Sequence, residues 1–185
     1  MHAVQRAGGL DARIVLKMNA LTDEPLMQAL VRAGQRGARI DLVVRGACML
    51  PARVPGLTDN IRVRSVIGRF LEHSRLLYFR AGREEQLYLS SADLMNRNML
   101  RRVELAWPVN DPQLRQRLID ECLVAYLHDS RDAWDLGADG IYTRVDHDTH
   151  PGEDGAARAI EAHGAQAALM NRYASRGHLR DASTN

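Results

Sequence analysis

"ARIVLKMNALTDEPLMQALVRAGQRGARIDLVVRG", residues 12–46, carries the pattern that decides the fold. Ala12–Leu21 is a short apolar run that turns polar at its end, as a buried strand does. Thr22 or Asp23 offers an N-cap oxygen, and Pro25 falls in the first turn of the helix that follows. Leu26, Ala29, Leu30 and Ala33 recur on one helical face, and Gly37 supplies the residue that closes a helix. Ala38–Gly46 is a second apolar strand. A helix between two apolar strands predicts parallel pairing with a right-handed crossover, and so an α/β protein. Ligands of such open sheets gather beyond the carboxyl ends of the strands, which singles out Arg45 at one end and Lys17 and Asn19 at the other.

Outward from this unit the pattern continues. "CMLPARVPGLTDN" (48–60) is a loop broken by Pro51, Pro55 and Gly56. "IRVRSVI" (61–67) alternates as a strand does, with Arg62 and Arg64 on one face, where solvent is expected. "RLLYF" (75–79) and "EQLYLSS" (85–91) flank Gly82 as a hairpin. "RVELAWPV" (102–109) predicts another strand, with Arg102 and Glu104 on one face. Asp111-Pro112 opens a helix whose apolar face, Leu114, Leu118, Cys122 and Ala125, runs to about Leu127. A weak polar stretch follows, and an Ala-rich helix from about Ala156 to Tyr173 ends the chain. "HAVQRAGG" (2–9) reads as the end of a helix closed by Gly8-Gly9, so the chain is expected to begin inside an element, as a fragment would. The divisions expected are 1–11, a remnant of a preceding helix or linker; 12–130, the main domain; and 131–185, a C-terminal extension whose last helix packs on it.

The 185 residues suit one domain, and 45% apolar content is enough for a real core. No apolar run approaches the ~20 residues of a membrane span, and the N-terminus lacks a signal-peptide core. Cys48 and Cys122 show no paired spacing, which fits a reducing, cytoplasmic setting and predicts no zinc site. "DHDTH" (146–150) has the look of metal ligands but lies in a polar loop without an element to hold it, so no metal is expected there. Of the 25 basic residues 24 are arginine, Lys17 being the exception. Arg39 to Glu104 holds 12 arginines against 7 acids, or +5, and the remainder 13 bases against 16 acids, or −3. Compositional bias explains most of this. Arginine forks also grip phosphate oxygens in pairs, whereas +5 is too weak a field to predict nucleic-acid binding.

The positive middle contains "RFLEHSRLLYFRAGREEQLYLSSADLMNRN" (69–98). Phosphoryl transfer with histidine needs a ring nitrogen, cations or N–H groups on the equatorial oxygens, and a group that fixes the imidazole tautomer. His73 supplies the nitrogen, and Arg75 falls on the same side two residues on. Ser90, Ser91 and Asn98 offer hydroxyl and amide groups at the end of the neighbouring strand.

The order of these residues resembles the phospholipase D superfamily signature: His-x-Lys, then Ser-Ser, Asn and a later Glu. Arg75 stands where lysine is usual, and Arg80 where an acid is expected, which argues against an ordinary phosphodiesterase. "KMNAL", "IDLVVRGACML", "VPGLTDNIRVRSVIGRFLEHSRLLYF", "YLSSADLMNRN", "RRVELAWPV" and the late "ALMNRYA" closely resemble the C-terminal, phospholipase D-like domain of bacterial polyphosphate kinases, a mixed β-sheet flanked by helices. The resemblance implies an ATP:polyphosphate phosphotransferase that moves the terminal phosphate of ATP reversibly onto polyphosphate through a phosphohistidine. It implies Arg45 on the nucleotide phosphates, His73 as the catalytic residue facing the phosphohistidine and touching the nucleotide, and Arg102 near the same phosphates. Ser90, Ser91 and Glu104 would support them. The nucleophilic histidine and the Mg2+ contacts for ATP would lie in upstream domains, so the isolated chain is expected to be inactive. Partners would be ATP or ADP, polyphosphate and those domains, with membrane association only through the full-length complex; the resemblance also leaves open that Arg62 and Arg64 line a polyphosphate channel in the intact enzyme instead of facing solvent. A homodimeric phospholipase D-type phosphodiesterase, with two His73 residues meeting on a two-fold axis, and a non-catalytic ATP- or polyphosphate-binding module stay open as alternatives, and with the first a homo-oligomer.

Three geometric expectations follow. His73, Arg45, Ser90 or Ser91, and Arg102 converge at one cleft. Glu104 or a serine hydroxyl hydrogen-bonds the imidazole. Apolar surface lies exposed beside the cleft, where other domains would sit.

Overall fold

The computed structural model describes residues 11–145, 160 and 162–181. Strand β1 (Ala12–Met18) is buried on both faces, so it can only be a central strand. Helix α1 (Glu24–Gln35) starts where Asp23 accepts a hydrogen bond from the Leu26 N–H at 3.1 Å, and Pro25 sits in its first turn. It ends at Gly37, whose φ of 95° is the left-handed conformation a helix stop requires. Strands β2 (Arg39–Val44) and β3 (Ile61–Val66) follow, and β1, β2 and β3 pair in parallel, in register Arg13–Arg39 and Asp41–Arg62. Ile14, Leu16, Met18, Ile40, Leu42, Val44 and Val63 form the core on the α1 side.

Strands β4 (Leu76–Ala81) and β5 (Glu84–Ser90) form the hairpin, turning at Gly82. β4 runs antiparallel to β1, so the sheet is mixed. The short helix α2 (Asn96–Arg101) leads to strand β6 (Ala106–Pro108), which pairs with β5. Helix α3 (Pro112–Leu118) opens on the Asp111 cap and runs through a π turn (Ile119–Val124) into α4 (Ala125–Leu127). This rod covers the second sheet face over Val15, Val43, Tyr78 and Leu87. Strand β7 (Ala133–Leu136) pairs antiparallel with β3 and then with β8 (Tyr142–Arg144). Helix α5 (Ala165–Asp181) completes the fold, its first N–H bonded to the fully buried Asp129. The eight-stranded order is β6-β5-β4-β1-β2-β3-β7-β8. No helix among the described residues is long and apolar enough to cross a membrane.

The structure corrects three expectations. The strand predicted at 102–109 exists only as Ala106–Pro108, so Arg102 and Glu104 precede the ladder. The reason is local: α2 takes the chain to Arg101, and the Ser91 hydroxyl then occupies the Leu105 N–H. The polar stretch after residue 130 contributes β7 and the edge strand β8, of four and three residues, too short to register as alternation. Gly164, with φ of 80°, breaks the last helix, which restarts at Ala165 and reaches Asp181 rather than Tyr173. "HAVQRAGG" and "DHDTH" lie outside the described residues.

Candidate functional site

The register brings five strand ends to one edge of the sheet. Lys17 near the end of β1 pairs with Leu76 at the start of β4, Leu76 pairs with Leu89 in β5, and Ser90 pairs with Ala106 at the start of β6. The end of β2 lies on the other side of β1, so Arg45, Asn19, Arg75, Ser90 and Ser91 all emerge at this edge. Gly46 follows Arg45 because the chain passes close to Asn19: a Cβ there would meet the Asn19 carbonyl at 3.0 Å.

A hydrogen-bonded chain crosses this edge. Arg45 Nε donates to Asn19 Oδ1 at 3.0 Å, and the Asn19 N–H donates to Asp93 Oδ1 at 2.7 Å. Arg75 grips Asp93 with both arms of its fork, at 3.0 and 2.9 Å, and its third nitrogen donates to the His73 carbonyl at 2.8 Å. Burial opposes the Asp93 charge, yet the Arg75 fork and the Asn19 and Ala20 N–H groups outweigh it and hold this carboxyl below its usual range. Arg75 is shifted upward, first by its bond to Asp93, with the nearby Glu104 charge contributing.

The loop that carries His73 has no regular structure and is clamped from three elements through Glu72. Lys17 Nζ donates to Glu72 at 2.7 Å from β1, the Tyr126 hydroxyl donates from α4, and Gln166 Nε2 donates at 3.0 Å from α5. Gln166 also pairs with the Phe70 backbone in both directions, at 2.7 and 3.0 Å. Gly68 permits this approach, since a Cβ would lie 2.5 Å from the Gln166 carbonyl oxygen. Lys17 is only 5% exposed, with its ammonium 3.1 Å from the centre of the Tyr126 ring. Burial pushes the Lys17 pKa down, and Glu72 pulls part of it back. Burial, then the bond to Glu72, pushes the Tyr126 hydroxyl pKa up.

Arg45, Lys17, Asn19, Glu72 and Ser74 line one small cleft. Arg45 thus shares a cleft with both chain neighbours of His73. The His73 imidazole is exposed, and no hydrogen bond to it exists among the described residues. The expected bond from Glu104 or a serine to that ring is therefore absent: the Ser91 hydroxyl donates to Glu104 instead, and Ser90 Oγ accepts from the Ala92 N–H. Arg102 is exposed, and among the described residues it makes no hydrogen bond or ion pair with the cluster. Asn98 is buried under the site, donating to the Asp93 carbonyl. Arg64, expected in solvent, is half-buried and bonded to Asp135, while Arg62 is exposed. Among the described residues no three His, Cys, Asp or Glu side chains gather as metal ligands. Exposed apolar side chains do lie beside the site: Ile67, Phe70 and Leu71 in the His73 loop, and Val103, 97% exposed, with Leu105 and Trp107 before and in β6.

Sequence reasoning passed over Asp93, Glu72, Tyr126 and Gln166. Asp93 and Glu72 stand inside the motif stretches "SSADLMNRN" and "FLEHSR", so their positions were the available signal. Nothing in the spacing of Gln166, 94 residues from Glu72, marks it.

Over residues 2–154 the chain matches the family described as polyphosphate kinase C-terminal domain 2. The polyphosphate kinase of Burkholderia cenocepacia (strain HI2424) is 52% identical over 136 residues, 74% of this chain and 20% of that protein. The polyphosphate kinase of Xylella fastidiosa is 49% identical over 137 residues, with the same shares. The crystal structure of polyphosphate kinase from Porphyromonas gingivalis superposes with a TM-score of 0.79 at 32% identity, covering 96% of this chain and 26% of that one. The chain spans about one fifth of the length of the curated relatives it matches. Sequence match, sheet topology and the strand-end cluster agree: this chain belongs to the polyphosphate kinase C-terminal domain 2 family.

Proposed function

We propose that this chain forms one wall of a polyphosphate kinase active site, in which the terminal phosphate of ATP passes to a histidine on another part of the enzyme and then to polyphosphate. In the first step the bond from γ-phosphorus to the ADP oxygen breaks as a nitrogen–phosphorus bond forms. In the second, that bond breaks as a terminal polyphosphate oxygen takes the phosphoryl group. Both steps are reversible. The observation that carries the reading is the chain of bonds from Arg45 through Asn19, Asp93 and Arg75 to the His73 carbonyl. It fixes a phosphate-gripping fork relative to a histidine loop, as phosphoryl transfer demands of groups that act chiefly by position and charge.

Among the described residues the Arg45 side chain uses only Nε, so its two terminal nitrogens are the donors for ATP phosphate oxygens. The exposed His73 imidazole faces the phosphorylated histidine and donates to the nucleotide oxygen that gains charge. Ser91 and Glu104 hold the start of β6 beside Arg75, and Arg102 reaches the phosphates once nucleotide is bound. Magnesium accompanies ATP, and the donor set here does not form a cage for it. The other domains of the enzyme cover Phe70, Leu71 and the apolar residues around β6.

The phosphodiesterase alternative is disfavoured by Arg75. The side chain at the position of its lysine is occupied by Asp93 and the His73 carbonyl rather than open to substrate.

The test is an ATP titration of the chain and of Arg45→Ala at two salt concentrations. Affinity is expected to fall by about 1–3 kcal/mol in the variant and to weaken with salt in the parent. Unchanged binding in Arg45→Ala removes that residue from the site.

A further inference from the structure

We propose that the opposite end of the same sheet holds a second anion site, a cleft that binds a condensed inorganic phosphate chain. The cleft encloses about 210 Å³. Its walls are the amino ends of the three parallel strands: Arg13 from β1, Arg39 from β2, and Arg62 and Arg64 from β3, with Arg53 from the loop before β3. Asp41 and Asp135 are the acids among them, so five positive charges face two negative ones. Arg39 opens β2 and Arg45 directly follows its end, six residues on, about 20 Å at the rise of a strand. The α3–α4 rod packs between them on Val15 and Val43. The cleft is therefore separate from the Arg45–His73 site.

Three features make it a built site rather than a solvated face. Part of the charge is fixed in place: Arg64 is held by Asp135 at 2.7 and 3.2 Å and by the Asp129 carbonyl at 3.0 Å, and Arg13 is held by Asp41 at 3.1 Å. Arg53 reaches Asp135 at 3.3 Å from a backbone φ of 55°, a left-handed conformation that non-glycine residues seldom adopt. Arg39 and Arg62 project at the same mouth with no ion pair or hydrogen bond among the described residues. The fixed arginines consume the two carboxylates, and two whole forks remain for a ligand.

The lining chooses the class of anion. His128 is the one ring in the lining and Leu42 and Leu127 are its apolar members, so charge rather than stacking dominates the cleft. Arg13 and Arg39 are register partners, and Arg62, the partner of Asp41, lies two residues further along the next strand, so the three forks surround the Asp41 carboxylate that Arg13 holds. A flexible chain of linked phosphates suits several forks around one concavity, whereas a nucleic-acid duplex does not enter it. The assignment stands on the cleft itself and does not require the proposal for Arg45 to hold.

The experiment titrates inorganic tripolyphosphate into the full 185-residue chain while following backbone amide NMR signals. The parent, Arg39→Ala/Arg62→Ala and Arg45→Ala are compared. Tripolyphosphate is expected to shift amides at residues 39–42 and 62–64. In the double variant the affinity read from these amides should drop about tenfold or more, the loss of two charge-assisted contacts. In Arg45→Ala it should be unchanged. Both arginines are exposed and have no partner among the described residues, so the double variant is expected to keep its fold; if its spectrum shows otherwise, Arg39→Gln/Arg62→Gln replaces it. Shifts confined to residues around Arg45, or equal affinity at residues 39–42 and 62–64 in parent and double variant, overturns the site. An ATP affinity at these amides equal to that of tripolyphosphate overturns the ligand class.

Discussion

The two ends of this sheet use charge in opposite ways. At the carboxyl ends of the parallel strands the cations are bound internally: Lys17 to Glu72, Arg75 to Asp93, and Arg45 by one nitrogen to Asn19. At the amino ends Arg39 and Arg62 are left without partners among the described residues. The motif-bearing end thus commits most of its charged groups to holding loops in register, and leaves a small number of donors pointing outward. An active-site wall needs this arrangement, because a histidine on an irregular loop has no strand to fix it. The other end carries more free charge and less constraint, as an electrostatic binding surface does.

The largest expected effect lies in the loop clamp. Lys17 is almost fully buried and Glu72 less so, with side-chain exposures of 6% and 22%. Glu72→Gln leaves a buried ammonium without its counter-charge and should destabilise the chain by about 3–5 kcal/mol. Lys17→Met removes the buried charge itself, and Glu72 keeps Tyr126 and Gln166, so the loss should be about 1 kcal/mol or less. Urea midpoints of the two variants and of Lys17→Met/Glu72→Gln measure the asymmetry. Equal losses in the two single variants would show that the pair does not anchor the loop through Lys17. No comparable loss is expected from Arg39→Ala, since Arg39 has no partner among the described residues.

The same contrast explains what the sequence could and could not reveal. The βαβ unit was legible because its signals are local: the Asp23 cap, the Pro25 position, the Gly37 stop and two apolar runs act within a few residues of one another. Arg45 and Asn19 were legible as candidates because strand ends in such sheets converge. Glu72 and Gln166 were not, since their contact joins residues 94 apart and depends on α5 packing across the sheet. The imidazole partner was sought in Glu104 on the premise of a strand through Arg102 and Glu104. A helix ending at Arg101 and one serine hydroxyl displaced that strand, and period-two alternation alone does not report such competition. β7 and β8 were missed because strands of four and three residues are set by pairing, β7 with β3 and β8 with β7, rather than by their own pattern.

A smaller effect should come from Gln166, which acts on the same loop without carrying charge. Gln166→Ala removes both bonds to the Phe70 backbone and one to Glu72. Water can replace some of them at a half-open loop, so the expected loss is about 1–2 kcal/mol. The sharper readout is local. Amides from Gly68 to His73 should exchange faster in the variant while those of β2 stay protected, because the clamp and the strand belong to different opening units. If exchange accelerates equally in β2, Gln166 supports the whole fold and not the histidine loop in particular.

The smallest effect is confined to acid, and it distinguishes the Asp93 fork from the clamp. The Asp93 carboxyl is held below its usual range, against burial, by Arg75 and two backbone N–H groups. A depressed pKa in the folded chain means that the unfolded chain binds the proton more readily. The stabilisation from this charge is therefore complete above the unfolded value of about 3.9 and is lost as pH falls through the lower folded value. From pH 7 to about 5 the contribution should be flat, and below about 4 it should decline. Asp93→Asn should start from a lower stability, since the Arg75 fork loses its counter-charge, but its acid decline should be shallower than the parent's because this titration is gone. Urea midpoints of both proteins from pH 7 to pH 3 provide the comparison. Parallel declines would place the acid sensitivity elsewhere, and would mean that the chain of bonds between Arg45 and His73 does not depend on the charge of Asp93.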